Sequence, residues 1–71
     1  MANTALIAAR LNQLMQEQNI TAADIVQRTN SAKASVNAWI AGEKMPKWDK
    51  AFALADLFQV SLNYLMGGPE R

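Results

Sequence analysis

Between Ile20 and Asn30 the chain has room for only about two turns of helix, and that limit constrains everything around it. Thr21 reads as an N-cap, with Asp24 three residues on as a weaker capping-box partner than the usual Glu. Ile20 precedes the cap and Ile25 takes the fourth helical position, the spacing of a hydrophobic staple. The helix therefore starts at Ala22 and runs to about Thr29. Asn30, which tolerates positive φ, then lets the chain turn sharply.

The other helices are written by apolar periodicity. Ile7, Leu11, Leu14 and Met15 fall at i, i+4, i+7 and i+8, predicting a helix over Thr4 to Gln18 that Asn19 can close in a left-handed conformation. A third helix begins after Ser31 or Ala32 and ends at Ala41, with Gly42 as its stop. Val36, Trp39 and Ile40 make its apolar face, and Lys33, Ala34, Asn37, Ala38 and Ala41 the opposite one. Small residues there admit the close approach of another body, or merely reflect the helix propensity of alanine.

After the loop EKMPK, a fourth helix from about Trp48 to Phe58 offers Ala51, Leu54, Ala55 and Phe58 to the core. Ser61 caps a short fifth helix, SLNYLM, closed by Gly67, Gly68 and Pro69. No strand signal, repeat or low-complexity segment appears. The fold class is all-α, five helices on one core. Residues 1–71 form a single domain, with an ordered core at about 4–66 and a short tail at 67–71.

Composition removes several function classes. The chain has no cysteine and no histidine, so disulfides are impossible and a metal site would need carboxylates alone. No metal, cofactor or small-molecule ligand is expected. With no Gly-rich phosphate loop and no carboxylate pair in an obvious cleft, an enzyme is the least expected class. The start, MANTALIAAR, has no basic region ahead of its apolar run, and no stretch is long enough to span a bilayer. A cytoplasmic protein with no membrane partner is expected. The net charge of +1 says little, but Lys33, Lys44, Lys47 and Lys50 cluster against only Glu43 and Asp49. A solvated helix face would look the same.

Read together, TAADIVQRTNSAKASVNAW from Thr21 to Trp39 outlines a helix-turn-helix, whose second helix enters the major groove of DNA. Thr21 precedes the Ile25–Val26 pair, Val36 follows Val26 by ten residues, and Trp39 comes three later. Gly42 and Pro46 mark the next loop, and LADLFQVSLNYLMGG closes the pattern. This ordered set, from Arg10 and Leu11 to the terminal glycines, resembles the lambda-repressor-like helix-turn-helix domains of phage repressors, Cro proteins and related small bacterial regulators.

The resemblance implies a compact five-helix fold with the motif at helices 2 and 3. It also implies a transcriptional regulator, Cro-like in lacking a second domain, that binds double-stranded DNA. With the docking geometry of phage repressors, Lys33 and Asn37 would hydrogen-bond base edges. Ala34 and Ala38 would meet thymine methyls, and Ser35 a base or a phosphate. Arg10, Lys44 and Lys47 are the expected phosphate contacts. Lys50 and Arg28 read as ordinary solvated charges, and Trp39 as core beneath the reading helix. So small a module should bind as a two-fold homodimer on a palindromic operator, with Leu62, Met66 and Pro69 as the expected dimer interface.

The chain departs from the family at several places. Val26 stands where a small Ala is usual, Asn30 where the turn glycine is, and Ala22 where a phosphate-touching Gln is common. Ala32 replaces a hydroxyl cap, although Ser31 could serve if the helix started one residue earlier. Met15 and Ile40 occupy positions where relatives often pair Arg with Glu, and they are expected to touch. The alternative function is a protein-interaction module, such as an antitoxin or dimerising adaptor. The discriminating observation is whether Lys33, Lys44 and Lys47 line one face with helix 3, or acids interrupt it.

Overall fold

A computed structural model describes residues 4–69 of the chain. Five helices form: α1 (Thr4–Gln18), α2 (Ala22–Thr29), α3 (Lys33–Ala41), α4 (Trp48–Phe58) and α5 (Leu62–Leu65). All helix positions expected from the sequence are observed. Among the described residues there is no strand. Asn3 and its predecessors, like Glu70 and Arg71, lie outside the described residues.

Helix boundaries follow from local chemistry. At α2 the Thr21 hydroxyl accepts from the Asp24 backbone N–H at 3.2 Å, while the Asp24 carboxylate accepts from the Thr21 N–H at 2.9 Å. This reciprocal box satisfies two donors that a helix start leaves open. Ser61 caps α5 through the Tyr64 N–H. Four helices end with one device, a left-handed residue followed by a bond reaching back five residues. The left-handed residues are Asn19, Asn30, Gly42 and Gln59, and the bonds run Ile20 to Met15, Ser31 to Val26, Glu43 to Ala38 and Val60 to Ala55. Gly42 suits its place because its φ is 80°, a conformation that side chains rarely adopt.

The helices pack as a ring: α1 on α3, α3 on α2, α2 on α4, α4 on α5, and α5 on α1. Each amphipathic face is thus covered on two sides, which a chain this short requires. The core holds Ile7, Leu11, Leu14, Ile25, Val36, Trp39, Leu54, Phe58 and Leu65, all buried. Met15 and Ile40 are both half-buried against this one cluster, from neighbouring helices. Ile20 and Val60, the residues after two left-handed ends, pack on it as well.

Polar side chains tie the ring across long sequence distances. The Asn12 amide donates to Ala8 O at 2.8 Å and Ile40 O at 3.1 Å, joining α1 to the end of α3. Gln18 donates to Phe58 O at 2.7 Å, closing the last turn of α4. Thr29, the one buried polar residue among those described, donates to Ile25 O and shares a 2.7 Å hydrogen bond with the Ser31 hydroxyl. Ser31 is therefore engaged with the turn. The N-cap of α3 is Ala32, with no side-chain hydrogen bond, so the earlier start that would have used Ser31 does not occur.

Candidate nucleic-acid interface

The turn between α2 and α3 is set by Asn30, whose φ of 53° and ψ of 48° place it in the left-handed region. An Asn is among the few L-residues that adopt it at modest cost. This reversal lets α3 follow α2 after only three residues and sends Val36 and Trp39 into the core. The opposite side of α3 is left outward. Lys33, Ala34, Asn37 and Ala41 are exposed there, and Ala38 is half-buried.

Ser35 parts from this group. It lines a cleft of about 320 Å³ with Asn30, Ser31, Lys44, Lys47 and Lys50, floored by Trp39. The cleft runs between the turn, the start of α3 and the loop that leads to α4. Lys33 lines a second, smaller groove of about 210 Å³ with Ala22, Ala23 and Val26 of α2. Three lysines border the first cleft and one the second, and no carboxylate lines either. Glu43, next to Lys44 in sequence, is exposed but outside the cleft lining. Both clefts include residues of α3, Ser35 in the first and Lys33 in the second, and the charged side chains that line them are lysines.

Lys50 is not the free solvated charge the sequence suggested. Its ammonium donates to Thr29 O at 2.8 Å and Asn30 O at 3.2 Å. These are carbonyls at the C-terminal end of α2, where a cation is favoured by the helix dipole. The sequence offers no signal for this, because the partners are about twenty positions away.

Arg10 is elsewhere. One guanidinium nitrogen donates to both Tyr64 O and Gly68 O at 3.0 Å, and the group lies over the Tyr64 ring. It does not line either cleft. Leu62 and Met66 are half-buried against the core, whereas Pro69 is exposed. The large exposed apolar side chains are others: Leu6, Met45, Trp48 at 65% and Phe52 at 58%. Trp48 and Phe52, one helical turn apart, hold their ring centroids 6.3 Å from each other. Periodicity had marked α4 only by its buried face.

Among the described residues no group of three or more His, Cys, Asp or Glu side chains could hold a metal ion. No described helix is long and apolar enough to cross a membrane.

Residues 11–65 match the helix-turn-helix family. The chain is also similar to a Bacillus subtilis (strain 168) protein named as an uncharacterized HTH-type transcriptional regulator, YobD, at 34% identity over 58 residues. That alignment takes in 82% of this chain and 52% of the relative, so the chain spans about half the relative's length. No solved structure matches it. The family match covers well over half of the chain and takes in Asn30 and the α2 and α3 faces that border both clefts, and on that ground the protein belongs to the helix-turn-helix family.

Proposed function

We propose that this chain is a sequence-specific double-stranded DNA-binding transcriptional regulator, in the manner of Cro and phage repressors. The observation that carries this is the two clefts beside α3 that are lined by lysines and by no carboxylate. α3 would enter the major groove, with Lys33 donating to guanine O6 and N7 and Asn37 making paired bonds to adenine. Ala34 and Ala38 present methyl groups suited to thymine methyls. Ser35, lying with Lys44 and Lys47 in the cleft, is better placed for a phosphate than a base edge. Lys44 and Lys47 take phosphates beside it. Arg10 is left out of this set, because its guanidinium is spent on Tyr64 and Gly68.

So small a reading surface calls for two copies on a palindromic site. Pro69, with the half-buried Leu62 and Met66, remains the proposed dimer contact. The exposed Trp48–Phe52 pair is the observation that favours the second reading, a protein-interaction module.

Selection of bound sites from random duplex DNA tests the proposal. Wild-type protein should enrich one palindromic consensus, and Lys33→Ala and Asn37→Ala should each relax a different position. No enrichment by the wild type would leave the interaction module as the better account.

A further inference from the structure

Lys50 lies on α4, outside the helix-turn-helix, yet it holds the turn. Its ammonium bonds the carbonyls of Thr29 and Asn30, the last residue of α2 and the left-handed residue that reverses the chain. The same turn carries the buried Thr29 hydroxyl bonded to Ser31, and the Ser31 N–H bonded to Val26 O at 3.2 Å. α3 has no side-chain cap of its own, so its start is oriented by this turn. α2 is only eight residues long, too short to hold its own end rigid. We infer that Lys50 is a positioning residue that sets the angle at which α3 is offered to DNA, and so governs sequence discrimination without itself contacting DNA.

The physical basis is a division of labour among three lysines in one cleft. An ammonium has three donors, and Lys50 spends two of them on protein carbonyls. Lys44 and Lys47 are exposed, whereas Lys50 is half-buried. A cation on the C-terminal carbonyls of α2 is matched to the negative end of that helix. The stem spans α4 to the turn, so the end of α2 from which α3 departs is tied to α4. Without it, the turn keeps the left-handed Asn30, the Ser31 N–H bond to Val26 O and the Thr29 hydroxyl bonds, but loses its tie to α4. Phosphate contacts would then persist, while base contacts, which need α3 held to a fraction of an ångström, would blur.

This inference rests on the proposed DNA binding, and the experiment separates the two. Lys50→Met, which keeps the apolar stem, and Lys50→Arg are compared with wild type on the selected duplex and a scrambled one, across a salt series. Lys44→Ala is the phosphate control. Lys50→Met should lower the selected-to-scrambled affinity ratio by roughly tenfold, the lower range for charged hydrogen bonds. Its salt slope on scrambled DNA should stay at the wild-type value, whereas Lys44→Ala should reduce that slope by about 0.9. Lys50→Arg should recover most of the ratio. An unchanged ratio, or a slope reduced as in the control, would overturn the inference.

If the wild type binds no duplex, the brace itself is still tested by amide hydrogen exchange. In Lys50→Met the Ser31 amide should exchange faster while amides within α1 stay at wild-type rates. A uniform rise would show a general stability role and overturn the positioning role. Should Lys50→Met fail to fold, Lys50→Gln carries the same measurements.

Discussion

The guanidinium carbon of Arg10 stands 3.8 Å from the centre of the Tyr64 ring, while one of its nitrogens bonds the backbone of Tyr64 and of Gly68. One residue of α1 thus holds both α5, only four residues long, and the chain beyond it. Arg10→Met should cost about 2 kcal/mol in urea unfolding, from a cation–π contact and charge-assisted hydrogen bonds lost together. Arg10→Lys should recover only part of this, because an ammonium cannot lay a planar group on the Tyr64 ring while it reaches both carbonyls. A variant as stable as the wild type would show that the clamp contributes nothing.

Lys44 and Lys47 border the cleft beside α3 and are expected to neutralise phosphates. Alanine at either should weaken specific and non-specific DNA binding alike, and reduce the salt slope by about 0.9 each. Arg10→Met should leave the slope untouched. Titrations at several salt concentrations measure both, and a slope that falls for Arg10 rather than for the lysines would reverse the assignment.

The Asp24 carboxyl is held below its ordinary value of 3.8, first by the Thr21 backbone N–H and then by the Thr21 hydroxyl, with the Arg28 charge adding to both. Desolvation opposes them, by less than either Thr21 bond and by more than the Arg28 charge adds. Because the folded state binds this proton less readily than the unfolded one, the contribution is complete above the ordinary value. It is lost as pH falls through the lowered one. Thr21→Ala should therefore move the Asp24 carbon resonance midpoint upward, and should cost about 1 kcal/mol through the lost cap. An unmoved midpoint would mean that the Thr21 hydroxyl does not hold the carboxylate and that the backbone N–H does so alone.

Met15 and Ile40 sit half-buried on one core cluster, from neighbouring helices. Ile40→Glu alone should destabilise by about 2 kcal/mol, since a half-buried carboxylate is left without a partner. Adding Met15→Arg should restore at least half of that, as a double-mutant cycle reads it. Strictly additive effects would place the two side chains out of reach of each other.

How much of this was legible in the sequence depends on the range of the interaction. The ends of α2 were readable because a cap, its box partner and a left-handed Asn act within about five residues. The buried faces of α1 and α4 were readable because helical periodicity repeats locally. Gln59 is the local exception. Nothing in a glutamine announces a φ of 59°, yet α4 must stop there for Val60 to reach the core. The outward residues of α3 were likewise identifiable, as the complement of Val36 and Trp39.

The sequence by itself determined five helices, their ends and the face of α3 left open, because caps and apolar spacing are properties of neighbouring residues. Only the tertiary structure decided which cations are free. Arg10 and Lys50 each carry a positive charge like Lys44 and Lys47. What separates them is a carbonyl brought within 3.0 Å of Arg10 and 2.8 Å of Lys50 by chain 54 and 21 positions away. The same packing left Trp48 and Phe52 outside the core that Ala51, Leu54, Ala55 and Phe58 of α4 enter. Such pairings depend on how the helix ring closes, and no local pattern encodes that.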